Sequence, residues 1–224
     1  MRQHSSPCTG AKCKATLEVL RGDANGVSRG ATRVLELSRE YGLGEYLADG
    51  MVYFGWARAR RSDNRSDNEI DVAELRKAIA ALTARGNKYW VPFFQGLLAE
   101  IEAERQDVEQ ALTQIDKALA LAQQTGEHWS DAYLHRIRSE ILLKRDPANT
   151  SPAEEDFLTA MAIAREQKAR SFELRAALSQ ARLYQSNGRP ADAHAVLAPS
   201  LEGFLPTPEF PEIAEAKTLL AALA

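Results

Sequence analysis

A small residue recurs through this chain at a nearly fixed interval. Ala57, Ala99, Ser139 and Ala181 stand 42, 40 and 42 residues apart. Each lies midway along a stretch whose apolar residues follow a helical period. Each is followed by a polar break and then a second stretch of the same kind. A period of this length built from two helices predicts a stack of helical hairpins, because one hairpin alone cannot bury its apolar stripe. Alanine or serine is needed where two helix axes cross closely, since a larger side chain there costs about 1–3 kcal/mol of overpacking.

The unit around Ala99 shows the pattern most clearly. Phe94, Leu97, Leu98 and Ile101 form one stripe on a helix expected over 89–105. Gln106 and Asp107 break it, with Asp107 suited to cap the next helix. That helix carries Ala111, Leu112, Ile115, Ala118, Leu119 and Ala122 on one face, and ends at Gly126 in a left-handed turn. The next unit repeats it with Leu134, Ile137 and Ile141, then Ala153, Phe157 and Ala160. In the last, Leu183 and Tyr184 precede the break 187–190. Pro190 opens the following helix, where its missing N–H costs nothing.

Two loops are extended. Arg61-Ser62-Asp63-Asn64 is duplicated as Arg65-Ser66-Asp67-Asn68, which predicts an enlarged surface loop, and 146–152 holds two prolines in a rigid turn. Upstream, Ala15 lies 42 residues before Ala57, yet residues 1–14 are polar and interrupted by Pro7 and Gly10. The expectation is a disordered segment 1–14, a truncated first unit over 15–44, full repeats over 45–205 and a capping helix over 209–223. Pro206 and Pro208 would form an extended link before that cap. The chain then reads as the tail of a longer array. An apolar face at Leu17, Val19 and Leu20 would favour self-association.

The resulting fold class is all-α: a right-handed superhelix of antiparallel helical hairpins. Ala99, Gln106-Asp107 and Ala111 match the tetratricopeptide repeat, as do Ala181, Gly188-Arg189 and Ala193. The period here exceeds the repeat's usual length of about 34 residues. Gln95 and His135 stand where that repeat carries an aromatic. Longer stretches, among them 125–129, 134–143, 171–177, 188–191 and 207–212, resemble the C-terminal repeats of large bacterial signalling proteins. Those proteins join an adenylate cyclase or DNA-binding domain to a signal-transduction ATPase domain. The resemblance spans roughly residues 16–224. It implies a docking or sensing tail whose partner is a protein or peptide, such as the cyclase or ATPase domains of a related regulator, and it transfers no enzymatic activity.

In the resembled repeat, two positions of each first helix face a concave groove. They map to Met51, Phe93, Tyr133 and Arg175, and to Arg58, Glu100, Glu140 and Arg182. Arg136 completes the candidate binding set. Aromatic and mixed-charge side chains on such a surface suit a peptide or a domain face.

Catalytic signatures are missing from the sequence. It has no phosphate-binding P-loop, no dinucleotide fingerprint and no nucleophile elbow. His4, Cys8 and Cys13 offer only three irregularly spaced ligands, which argues against zinc. His135, one turn from Asp131, reads as a surface ion pair. Glu100 and Glu140 are a repeat apart, too far to share a proton. No cofactor, metal or catalysis is expected. A net charge of −3 gives no reason to expect nucleic acid, and no apolar run of about 20 residues suggests a membrane span. With two cysteines and no leader-like stretch, the expected location is the cytoplasm. Two alternatives stay open beside protein docking: a small-molecule or peptide sensor, and a fragment with no independent role.

Overall fold

A computed structural model describes residues 7–61, 65–86, 88–205 and 210–223, with no side chains described for 65–68. The described residues form eleven helices: α1 (Pro7–Leu20), α2 (Ala24–Glu40), α3 (Gly44–Arg61), α4 (Arg65–Ala84), α5 (Val91–Glu104), α6 (Val108–Thr125), α7 (Asp131–Arg145), α8 (Ser151–Glu166), α9 (Arg170–Ser186), α10 (Pro190–Leu201) and α11 (Pro211–Leu223). No strand occurs among them. In the first unit α1 to α4 pack in sequence, in the second α6 to α11 do, and α1 also meets α3, α7 meets α9, and α9 meets α11. This is the layout of an α-solenoid. The chain divides into two compact units, residues 1–101 and 102–224, with the division inside the last turns of α5.

The recurring small residues lie at the packing centres. Ala15, Ala57, Ala99, Ser139 and Ala181 are all fully buried. In the first hairpin, a Cβ added at Gly30 of α2 would stand 3.1 Å from Ala15 Cβ and 3.2 Å from its Cα. The two backbones therefore approach as closely as side chains permit. The aromatic core of the first unit is Tyr53, Trp56, Phe93 and Phe94, with Tyr53 edge-on to Phe94 at 5.3 Å between ring centres. In the second unit, Ile115, Leu134, Ile137, Ile141 and Phe157 are buried, and Leu174, Ala177, Ala181, Leu197, Ile213 and Ala216 belong to one core cluster.

One turn geometry closes five of the described helices. Gly22, Gly42, Gln106, Lys168 and Gly188 all have left-handed backbone, and in each case the next residue's N–H bonds the carbonyl five residues back, at 2.8–3.0 Å. This is the Schellman closure. Within Gly22–Gly42, Gly86–Gln106–Gly126 and Lys168–Gly188, neighbouring members stand 20 residues apart, so the chain reverses every half repeat. Gly126 takes the expected left-handed conformation and Pro190 sits in the first turn of α10.

Several expectations change. Residues 7–14 are helical, and α1, at 14 residues, is as long as α5, so the first helix is not cut short. Its polar residues find buried partners on α3, which a count of apolar positions does not register. Tyr89 and Trp90 precede α5 instead of opening it. The second copy of the duplicated tetrapeptide, 65–68, forms the first turn of α4, not a loop, while 62–64 lie outside the described residues. Asp107 precedes α6 without a side-chain capping bond, whereas Asp23 Oδ1 caps α2 by accepting from Gly26 N–H at 2.8 Å. Of the face at Leu17, Val19 and Leu20, Val19 is buried and Leu17 exposed. The link at Pro206 and Pro208 lies outside the described residues.

Candidate functional site

The nine predicted groove residues fall into three environments. Phe93 and Tyr133 are core residues, exposed by 0% and 3%, and present no binding surface. Both follow from local packing: Phe93 lies edge-on to Trp90 and tilted against Phe94, and Tyr133 lies 6.4 Å from Phe172. The charged members are largely engaged within the chain. Glu100 receives Arg60 Nη2 at 2.7 Å, and Glu140 receives Arg136 Nη1 at 2.7 Å and the Ser179 hydroxyl at 2.8 Å. Arg175 Nε donates to Glu212 at 2.9 Å, and Arg182 Nη2 to Glu215 at 2.5 Å. Met51 lies at the surface beside Arg58, whose exposed guanidinium is itself paired with Asp71, and the fold brings these two together.

Met51 and Arg58 stand seven residues apart, two turns along one side of α3. With Leu35 of α2, Phe54 and Gly55 of α3, and Asp71 and Glu74 of α4, they line a cleft of ≈ 90 Å³. Gly55 lets α3 and α4 come close: a Cβ there would be 3.3 Å from Leu75 Cα. Arg58 Nη2 holds Asp71 Oδ1 at 2.5 Å, with the Asp71 side chain buried and the guanidinium half in solvent. Met51 is 44% exposed at the mouth. A cleft of this volume is far below the roughly 300 Å³ at which small-molecule sites begin, and fits one apolar side chain. Its rim offers a guanidinium and a carboxylate for the polar groups flanking such an anchor.

Sequence reasoning missed the polar seam between α1 and α3. Thr9 bonds Tyr46 at 2.8 Å, Lys12 Nζ bonds Asp49 Oδ2 at 2.5 Å, and Thr16 bonds Tyr53 at 2.6 Å, each pair 37 residues apart. Arg175 and Glu212 repeat the 37-residue offset between α9 and α11. Lys12 also lies over the Trp90 ring at 4.3 Å. Burial pulls the Lys12 ammonium below its ordinary value of 10.5 and pushes Asp49 above 3.8, with each partner opposing the other's shift. Burial raises the Tyr53 phenol as well. The available signal was the repeat itself: first helices that touch exchange contacts at one period less about a turn and a half.

The histidines pair differently from the expectation. Asp131 is met by His128 Nδ1 at 2.7 Å, while His135 Nδ1 meets Asp156 Oδ1 of α8 at 3.1 Å. The cause is the helix–helix contact: α7 packs on α8, which brings the Asp156 carboxylate to His135. Arg138 joins this cluster, reaching Asp116 Oδ1 at 2.7 Å and Asp156 Oδ2 at 2.5 Å. Burial alone would raise the Asp156 carboxyl, but the bonds from His135 and Arg138 hold it below its ordinary 3.8. These groups close on one another and tie α6, α7 and α8 together.

Among the described residues, no group of three His, Cys, Asp or Glu side chains is placed to hold a metal, and no helix is long and apolar enough to cross a membrane. Cys8 is buried and Cys13 exposed on α1, and His4 lies outside the described residues. In comparisons with known proteins, neither a protein-family model nor a curated protein matches this sequence.

Proposed function

We propose that this chain is a non-catalytic docking module: a right-handed solenoid of the tetratricopeptide kind that binds a protein or peptide in the bacterial cytoplasm. The resemblance of its repeats to signalling proteins points to a cyclase or ATPase domain of a related regulator as the partner. The observation that carries the reading is the α2–α3–α4 cleft, where two residues singled out from the repeat register, Met51 and Arg58, meet around a space the size of one side chain. A peptide anchored by an apolar side chain, with polar groups either side, fits that lining. The same size disfavours a cofactor or drug-sized ligand.

The test is affinity capture from bacterial lysate with quantitative mass spectrometry. The wild-type chain is compared with Met51→Glu at the cleft mouth and with Leu158→Glu, an exposed position on α8. Matched melting curves establish that all three are folded. The expected outcome is a protein retained by wild type and Leu158→Glu and depleted at least about tenfold by Met51→Glu, equivalent to about 1.4 kcal/mol. Equal recovery by all three would remove the cleft as the docking site.

A further inference from the structure

We propose that the peptide segment docked in the α2–α3–α4 cleft carries a basic side chain, lysine or arginine, beside its apolar anchor, and that Glu74 receives it. The inference rests on the docking reading and names the charge of the partner at that site. Leu35, Met51, Phe54 and Gly55 give the cleft its apolar wall, and Arg58, Asp71 and Glu74 supply its charges. At ≈ 90 Å³ it admits one side chain, so the residues flanking that anchor meet the charged groups at the rim.

Two carboxylates face one guanidinium there, and the guanidinium is already committed. Arg58 Nη2 stands 2.5 Å from Asp71 Oδ1, so its charge is answered within the chain. Even so, Asp71 Oδ1 is buried and accepts no hydrogen bond. Glu74 follows three residues later on α4, is exposed, and has no ion-pair partner among the described residues. The cleft is therefore left with an unanswered negative charge and a buried acceptor that lacks a donor. A cationic donor brought by the partner supplies what both carboxylates lack.

The sign of the partner's charge follows from this inventory. An acidic side chain at the rim would meet Asp71 and Glu74 with only a guanidinium that is already paired to offset them. The exposed cations about one turn along from Leu35 and Glu74, Arg39 and Lys77, do not line the cleft. A basic side chain also suits the apolar part of the lining. Its aliphatic stem can lie along the exposed Met51 while its head reaches Glu74.

A random peptide library displayed on phage is selected against the full wild-type chain, and the enriched peptides are synthesised and their Kd values measured by fluorescence anisotropy. The variants are Glu74→Lys, Met51→Ser, which removes apolar contact without adding charge, and Glu155→Lys, the same charge change at an exposed position on α8. Matched melting curves establish that all are folded. The expected peptides place lysine or arginine beside an apolar residue and lose affinity in Met51→Ser. Glu74→Lys should weaken them at least about fivefold while Glu155→Lys leaves them unchanged. Replacing the peptide's basic residue by glutamate should restore binding to Glu74→Lys. Peptides that depend on Met51 but carry no basic residue, or that bind Glu74→Lys as well as wild type, overturn the inference and leave the cleft as a docking site. Peptides indifferent to Met51→Ser, or no enrichment at all, remove the cleft as a docking site and this inference with it.

Discussion

Lys12 illustrates how a single side chain is misjudged when its partner lies one repeat away. It sits on a helix of weak amphipathicity, and its ammonium is removed from water only because Asp49 and the Trp90 face meet it there. A buried pair of this sort adds little net stability over a well-packed apolar substitute, but half of it is costly. Lys12→Met should therefore destabilise the first unit by about 3 kcal/mol, because Asp49 is left buried without its cation. Adding Asp49→Leu should return most of that loss. Urea unfolding of the two single variants and the double variant measures the cycle, and additive losses would mean the pair is not coupled. The same difficulty hid the partners of His135 and Glu140, which were assigned within their own helix or to a ligand. Glu140 does receive Arg136 from its own helix, but it also receives Ser179 from the next first helix.

At the scale of the helix, periodicity was a dependable guide. The stripes around Ala99, Ser139 and Ala181 became α5, α7 and α9, and the glycine and proline signals at Gly126 and Pro190 stand at the ends they indicated. It was less dependable where polar residues form the buried face, as in α1, or where a non-glycine residue adopts the left-handed turn. Gln106 and Lys168 do so with φ of 66° and 57° because the i to i−5 closure offsets the steric cost. Two glycines within one hairpin separate packing from propensity. Gly30→Val should destabilise by about 1–3 kcal/mol, since Ala15 backbone atoms block the new Cβ and a backbone cannot swing aside as a side chain can. Gly10→Ala meets nothing within 4 Å and should stabilise by about 0.5–1 kcal/mol through the lower entropy of the unfolded chain. Thermal melts of the two variants read the contrast. A destabilising Gly10→Ala would mean that the first turns of α1 are not helical.

For the molecule as a whole, contacts gather into two compact units, 1–101 and 102–224. In a repeat array each element is held mainly by its neighbours, so damage should stay local. Phe157 is fully buried in the second unit. Phe157→Ala should cost about 3–5 kcal/mol there. Hydrogen exchange should accelerate across α7–α9 while the amides of α2 and α3 keep their protection. Uniform loss of protection along the chain would show instead that the two units unfold as one.

By itself, the sequence determined that the chain is helical, that it repeats with a hairpin period, and that a small residue marks each crossing. Those properties come from local terms: stripe spacing, turn residues, and the exclusion of large side chains from close contacts. What a groove-facing position does was decided only by tertiary structure. Phe93 and Tyr133 went into the core, Glu100, Glu140, Arg175 and Arg182 were paired with residues on other helices or turns, and Met51 came together with Arg58, itself paired with Asp71, at one cleft. Register gives the angle at which a side chain leaves its helix. Whether that side chain meets solvent, an ion partner or another ring depends on helices that stand a repeat away, and no local pattern carries that distance.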